Sequence, residues 1–429
     1  MKILHIADIH LGTELYGHYD PRTGVSSRLK DFTDALDRAI DYAIAERVDL
    51  FLFAGDAYKT RDPNPTQQRE FALRLRRLLD AAIPVFLLTG NHDMPNALGR
   101  ATSLDIFGTL QLPRLYVAAR PAVHRVETVS GPLQVVAVPW ISRSTLMTRD
   151  EIKNKPVGEV NRELLERLAE FLRGAVAALD PGIPAILTLH GSIAGASFGG
   201  ERTTMLGHDL LIPRNLVANP AFAYVALGHI HKHQVLSADP PIVYAGSPER
   251  IDFGEERDPK GFVVLDIDGA NDARWRFVDS GARPFKTIRV DAFDDDPTDQ
   301  VVKAVESVDV AGAVVRLVVH LREANQSSYN ESRVRAALRA AYHVSSLREI
   351  DRADRLRGSG FSTALTPLEN LTAYLEKQEP ATPARTAVLM DYARRLAHDL
   401  EGPGGGDGGA PAAPESGPVE SSPVMEVGP

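Results

Sequence analysis

The feature that most constrains this chain is a recurring pattern in which a short apolar run stops abruptly in a carboxylate, an imidazole or an amide. Ile83-Pro-Val-Phe-Leu-Leu88 runs straight into Thr89-Gly90-Asn91-His92-Asp93. The run reads as a buried strand, and a polar cluster at the end of one is seldom structural. Ile3 to Ala7 ends in the same way in Asp8-Ile9-His10-Leu11-Gly12, and Leu50 to Ala54 ends in Gly55-Asp56. Ile183 to Leu189 ends in His190, and Ala223 to Leu227 in Gly228-His229-Ile230-His231. Asp8 and His10, like His229 and His231, stand two apart, so each pair points to one face wherever the chain is extended.

Between these runs the apolar spacing turns helical. Leu29, Phe32, Leu36, Ile40 and Ile44 mark one helix, Phe71, Leu75 and Leu78 a second, and Leu164, Leu168, Phe171 and Leu172 a third. Strands alternating with helices predict a layered α/β core with helices on both faces, in which ligands collect beyond the strand ends. The second helix carries Arg69, Arg74, Arg76 and Arg77 on its far side, either as a solvated face or as a phosphate-contacting stripe.

From Pro284 the texture changes. Phe285 to Val290, Ala313 to Leu321 and Val344 to Ile350 read as strands, with helices near Thr298 to Val308 and Glu331 to Tyr342, which predicts a small α+β domain. Thr366-Pro-Leu-Glu369 and Thr382-Pro383 are helix starts, and Leu368, Leu371 and Leu375, with Leu389, Tyr392 and Leu396, make short apolar faces. Beyond Glu401 the Gly, Pro, Ala and Ser-rich stretch has too little apolar material to offset its ordering entropy and is expected to be disordered. The expected division is a catalytic core over 1–280, a small domain over 281–360, a helical segment over 361–400 and a tail over 401–429.

Composition narrows the chemistry. With no cysteine in 429 residues, disulfides, zinc-thiolate sites and thiol nucleophiles are excluded, so any metal is held by His, Asp, Glu or Asn. The formal charge of -9 does not argue against an anionic substrate, because Glu401, Asp407, Glu415, Glu420 and Glu426 lie in a tail free of Lys and Arg. The opening residues reach Asp8 without a signal-peptide pattern and no apolar run approaches a membrane span, which predicts a cytoplasmic protein. No Gly-x-x-x-x-Gly-Lys-Ser/Thr pattern occurs, so any ATP hydrolysis belongs to another chain.

Together the strand ends supply Asp8, His10, Asp56, Asn91, His92, His190, His229 and His231. Such a nitrogen and oxygen set suits Mn²⁺ or Fe²⁺, with zinc also compatible. Two ions sharing a carboxylate, about 3.5 to 4 Å apart, would activate water and neutralise phosphate oxygens during in-line attack. His5, His18, His124, His208, His320, His343 and His398 follow no such pattern and read as core or surface histidines. His233 is likewise left outside the set.

The ordered motifs Asp8-x-His10, Gly55-Asp56, Gly90-Asn-His-Asp93, His190 and Gly228-His-x-His231 resemble the calcineurin-like metallophosphoesterases. Tyr244-Ala-Gly-Ser-Pro-Glu-Arg-Ile-Asp-Phe-Gly254 is similar to the branch whose members are nuclease subunits of double-strand-break repair complexes. The resemblance implies two central sheets flanked by helices, with the small domain capping the cleft. It also implies that Asp8, His10 and His231 hold one ion, that Asn91, His190 and His229 hold the other, and that Asp56 bridges them. His92 is then not a ligand but faces the scissile phosphate, oriented by Asp93 or another neighbour. Two Mn²⁺, with Fe²⁺ or Mg²⁺ as lesser fits, double- and single-stranded DNA, a coiled-coil ABC ATPase partner docked on the helical segment, and a homodimer within a heterotetramer follow from the same resemblance. Relatives place a substrate-contacting His shortly after the second motif; this chain has Ala57-Tyr58-Lys59, so that role is not carried over. The rival readings are another phosphatase or phosphodiesterase of the family, and a scaffold that has lost its metals; the first lacks its Asp-Arg-Gly segment here, and the second would show gaps in the ligand set.

Overall fold

The computed structural model describes residues 1–95, 100–141, 155–199, 209–269 and 272–351, and, further on, 368–369, 371–372, 375 and 387–395. Strands β1 (Lys2–Ile6), β2 (Leu50–Phe53), β3 (Val85–Leu88) and β4 (Leu115–Ala118) alternate with helices α1 (Ser27–Ala45), α2 (Pro65–Asp80) and the short α3 (Asp105–Thr109). The chain then crosses to a second sheet. It contributes β5 (Ala122–Thr128), β6 (Gly131–Val138), α4 (Val157–Ala178), β7 (Ala185–His190), the two-residue β8 (Ser192–Ile193) and β9 (Leu211–Ile212), α5 (Arg214–Val217), β10 (Tyr224–Gly228), β11 (Gln234–Ala238) and β12 (Pro241–Tyr244). It returns to the first sheet with β13 (Gly261–Asp268) and β14 (Asp272–Asp279).

The sheet orders are β14-β13-β1-β2-β3-β4 and β11-β12-β10-β7-β6-β5. Period-two alternation decides what each sheet buries. Leu4, Ile6, Phe51 and Phe53 face a cluster with Phe32, Leu36 and Phe71 of α1 and α2. Val136, Val138, Leu187 and Leu189 face α4 through Leu164, Leu168 and Leu172. The opposite faces of both sheets meet in one cluster, where Ile3, Leu50, Leu52 and Phe86 pack with Val135, Ile186, Tyr224 and Val243. The result is a helix-sheet-sheet-helix sandwich, the layered α/β fold with two central sheets. Phe171, predicted to point inward, is only partly buried, and Ala175 completes the inner stripe of α4.

Register carries the site. β1, β2, β3 and β4 run parallel, as do β6, β7, β10 and β12, so their carboxyl ends open at matching edges of the two sheets. β2, β3, β7 and β10 are buried along their whole length and almost entirely apolar, which is why the sequence displays them, whereas the edge strand β4 is mostly half-buried.

The last described sheet is β15 (Phe285–Ala292), β16 (Val314–Arg322) and β17 (His343–Asp351), with helices α6 (Pro297–Glu306) and α7 (Glu331–Ala337). It has its own core, including Ile288, Val301, Leu317, Val319 and Val334. A buried charge network joins it to the sandwich. Asp31 of α1 accepts from Arg28 at 2.6 Å and from Arg283 at 2.8 and 2.5 Å, while Glu249 accepts from the Arg283 amide at 3.1 Å. The Arg283 guanidinium lies 3.6 Å from the Tyr342 ring centroid.

Beyond residue 351 the described residues are helical, with Arg395 and Asp391 paired at 2.7 Å. The helix starts at Thr366 and Thr382, Leu396, the tail after Glu401, His208 and His398 lie outside the described residues. Among the described residues no helix is long and apolar enough to cross a membrane.

Candidate metal centre

The site residues sit in tight turns directly past the strands. Asp8 (φ 55°) and His10 (φ 48°) follow β1, Asp56 (φ 60°) follows β2 and His229 (φ 100°) follows β10. The sequence spacing predicted extended pairs; instead the chain turns through left-handed backbone, and it is these turns that bring Asp8 and His10, and His229 and His231, into one cleft. A non-glycine residue in that region is strained by about 1–3 kcal/mol, and such strain concentrates where function fixes the geometry. Main-chain bonds hold it in place: the Asp8 amide donates to the Gly55 carbonyl at 2.9 Å and the His10 amide to the Asp56 carbonyl at 3.1 Å. Two glycines are required by contact, since a Cβ on Gly55 would run into the His190 ring and one on Gly90 into the Asp56 carboxylate.

Among the described residues, three groups have donor atoms that lie within 4.8 Å of one another inside each group: Asp8, His10 and His231; His10, Asp56 and His92; and Asp56, His190 and His229. Asp56 belongs to two of them, so its carboxylate stands between the clusters. Asn91 joins the third through Oδ1, 3.0 Å from His190 Nε2 and 2.9 Å from His229 Nδ1.

Proton accounting shows what these atoms fit. His190 Nδ1 lies 2.7 Å from the Ala54 carbonyl, which only accepts, so Nδ1 carries the proton and a neutral ring turns its Nε2 lone pair toward Asn91 Oδ1. His229 Nε2 faces the Asp209 carboxylate at 2.9 Å, which leaves the Nδ1 lone pair facing the same Asn91 oxygen. His231 Nδ1 faces Glu255 at 2.7 Å, and its Nε2 is 3.0 Å from His10 Nε2. Acceptors aimed at acceptors in a buried cleft fit divalent cations, and the mix of imidazole, amide and carboxylate fits borderline-hard ones.

The electrostatics agree. Burial pushes the Asp8 carboxyl up to about 7. Burial acts likewise on Asp56, but the His190, His10 and His92 rings outweigh it and hold that carboxyl well below its usual range. Burial lowers His190, yet the Asp56 and Asp8 carboxylates more than offset this and bring it to about 9. These groups thus compensate one another as proton and proton-acceptor where a cation would compensate them all.

His92 is half-buried on the cleft wall, its ring edge-on to His10 at a centroid distance of 4.8 Å. Its Nδ1 is 2.8 Å from the Lys59 carbonyl, which turns Nε2 away from the wall. Lys59 therefore orients this ring by its main chain. Asp93 is elsewhere: its fully buried carboxylate accepts from the amides of Asp56 at 2.9 Å, Ala57 at 3.1 Å and Gly90 at 2.9 Å. Its place is under the Gly55-Asp56-Ala57 turn, not beside the imidazole.

Four groups at the site carried no sequence signal strong enough to single them out. Asp209 and Glu255 brace His229 and His231, and Lys260 stands behind Glu255 at 2.7 Å. Trp140, two residues past β6, lays its ring 4.8 Å from that of His229. Glu255 directly follows the Gly254 that ends the distinctive Tyr244–Gly254 stretch; Trp140 shares the strand-end position of the ligands without their polarity. His233, left outside the set, bonds the Tyr244 carbonyl at 2.8 Å and stacks on Phe277. The arginine stripe of α2 divides: Arg74 and Arg77 pair with Asp37 of α1 at 2.6 and 2.7 Å and clamp the two helices, while Arg69 and Arg76 are exposed and pair within α2 with Glu70 and Asp80, a solvated face.

A layered sandwich with a carboxylate bridging two imidazole-rich clusters defines a class of two-metal phosphoesterase. The sequence profile of the family described as calcineurin-like phosphoesterase matches residues 1–233, more than half of the chain. The chain belongs to this family and is a metal-dependent phosphoester hydrolase. Among curated proteins it is similar to the D subunit of the nuclease SbcCD of Rhodobacter capsulatus, with 29% identity over 324 residues that cover 71% of this chain and 75% of the relative. The corresponding SbcCD nuclease chain of Bacillus subtilis is 29% identical over 65% of this chain and 69% of its own length. The DNA double-strand break repair protein Mre11 of Haloferax volcanii is 29% identical over 75% of this chain and 61% of its own length.

Proposed function

We propose that the chain is the nuclease subunit of a DNA double-strand-break repair complex, hydrolysing DNA phosphodiester bonds with two divalent cations, Mn²⁺ before Fe²⁺ or Mg²⁺. The observation that carries the reading is the convergence of His190 Nε2 and His229 Nδ1 on Asn91 Oδ1 beside Asp56, where a divalent cation would take the place of the shared protons. Asp8, His10 and His231 hold one ion, Asn91, His190 and His229 the other, and Asp56 both. Bound there, the pair supplies Lewis-acid activation of water and neutralises phosphate oxygens.

The chain's own groups do the rest. The Asp8 carboxylate is fixed by the His229 amide at 2.9 and 3.0 Å, and Asp56 by the His92 amide at 2.8 Å, so neither reorganises when substrate arrives. His92, its Nδ1 tied to Lys59, presents Nε2 to the scissile phosphate and stabilises or protonates the leaving oxygen. Asp93 acts through the Asp56 turn as a positioning residue.

The full reading is a 3′ to 5′ exonuclease on double-stranded ends and an endonuclease on single strands and hairpins. It works with an SbcC-type coiled-coil ATPase, as a homodimer within a heterotetramer, in the cytoplasm on nucleoid DNA. Residues 281–360 cap the cleft and select DNA, 361–400 dock the ATPase, and 401–429 form a tail. The names of the SbcCD and Mre11 relatives support the substrate and the partner. The test is degradation of end-labelled linear duplex and of hairpin DNA with Mn²⁺, with and without the ATPase. Cleavage of both that responds to the ATPase is expected; hydrolysis of simple phosphomonoesters with DNA left intact points to the phosphatase reading instead.

A further inference from the structure

Two sets of contacts outside the ligand shell meet in one turn, Phe253–Glu255 with Glu256 after it. On its inner side Glu255, only 1% exposed, faces His231 Nδ1 at 2.7 Å through Oε1. Its Oε2 accepts from the Ile251 amide at 3.0 Å and pairs with Lys260 Nζ at 2.7 Å. Lys260, equally buried, also donates to Ser247 Oγ at 2.7 Å and to the His231 carbonyl at 3.1 Å. Ring and main chain of His231 are thus held by one buried acid-lysine pair. Burial pushes the Glu255 carboxyl up, but Lys260 and His231 outweigh it and hold the group well below its usual range. Two buried charges cost more than an apolar pair of the same size, so packing does not explain them.

On its outer side the same turn grips the small domain. Glu256 accepts from the Thr287 amide at 2.9 Å and from the Thr287 hydroxyl at 2.6 Å, both in β15. The Phe253 ring packs on Phe285 at 5.0 Å, and the Arg316 guanidinium of β16 lies over it at 4.3 Å. The second cluster is held differently: the hydrogen bonds of Asn91, His190 and His229 described above reach Ala54, Asp209 and, from the His229 amide, Asp8, and stay within the sandwich.

We infer that Glu255 is a positioning residue for His231, and that the turn 253–256 couples the seating of the small domain to the affinity of the one cation that His231 holds. The inference rests on the reading of His231 as a metal ligand. A shift of β15 pulls Glu256 and Phe253, Glu255 moves with them, and the His231 ring loses its orientation. Among the described residues, this turn wires the small domain to the side of the cleft that His231 occupies.

Mn²⁺ titration calorimetry on the full chain tests this, with thermal melting alongside, for wild type, Glu255→Gln, Glu256→Ala and the double variant. Two sites are expected in wild type. Glu255→Gln is expected to weaken one of them by roughly 10–100-fold, the range for removing the partner of a metal-bound imidazole, and to leave the other unchanged. Glu256→Ala, at a partly buried residue whose carboxylate bonds Thr287 of the small domain, is expected to weaken the same site a few-fold with its melting temperature kept. The double variant should bind no more weakly than Glu255→Gln, since both changes act through one carboxylate. Should Glu255→Gln fail to fold, Glu256→Ala decides alone. Wild-type affinity at both sites in Glu256→Ala, or equal weakening of both, overturns the coupling while the two-metal reading stands. A wild-type chain that binds no Mn²⁺ overturns both.

Discussion

On one side of the cleft His231 is braced by a fully buried acid and lysine that belong to the turn gripping the small domain; on the other, His190 leans on the Ala54 carbonyl and His229 on Asp209, whose side chain is 16% exposed. The first brace is charged, dry and connected outward. The second is built half from main chain of the sandwich itself, in reach of water. On the proposed assignment of the ligands, one ion would be seated by the sandwich alone and the other through the turn that also holds β15. Regulation by domain seating needs only the second kind.

Substitutions break or sharpen this contrast in decreasing order of effect. Asp56 belongs to both sides, so Asp56→Asn is expected to erase the difference altogether, with both ions lost and turnover at background; elemental analysis of the dialysed protein checks it, and retention of either ion argues against the bridge. His92 shares a donor group with His10 and Asp56 but is proposed to hold neither ion. His92→Asn is expected to keep both ions and DNA binding while the rate falls by ~10² to 10⁴, the range for a general acid-base group. Bound Mn²⁺ falling together with the rate would instead place His92 among the ligands. Asp209→Asn touches the sandwich side alone and should weaken one ion by roughly 10–100-fold, through the loss of the His229 partner. Calorimetry on that variant and on Glu255→Gln should report opposite sites, and the same site twice would dissolve the contrast. Arg74→Ala, at the clamp between α1 and α2, should leave both ions and DNA affinity as they are and cost on the order of 1 kcal/mol of stability in urea denaturation. A lowered salt dependence of DNA binding in that variant would restore the phosphate-contact reading of the stripe.

What the sequence displayed and what it hid divide along physical lines. The parallel strands β1, β2, β3, β7 and β10 are buried on both faces, so each is a continuous apolar run, and each ligand follows it within a few residues. The edge strands were harder to see. β5 and β14 alternate exposed and half-buried residues, as in Asp272–Asp279, and β11 is short with no fully buried residue. The candidate ligands stood out because their types are rare at such places and their spacing repeats. Asp209 and Glu255 were not, because a lone acid in a loop looks like any solvated acid until the fold sets it against an imidazole. The contact of Lys59 with His92 is made by a carbonyl, which no side chain announces. The left-handed turns at Asp8, His10, Asp56 and His229 escaped for a related reason: period-two spacing paired Asp8 with His10 through an extended geometry that the chain does not adopt, and it paired His229 with His231, which fall in different donor groups.

The account stands on two cations sharing Asp56, and anomalous diffraction at the manganese edge on crystals grown with Mn²⁺ addresses it most directly. Two peaks about 3.5 to 4 Å apart are expected, one among Asp8, His10 and His231, the other among Asn91, His190 and His229, with Asp56 between them. A single peak, or peaks away from Asp56, would contradict it.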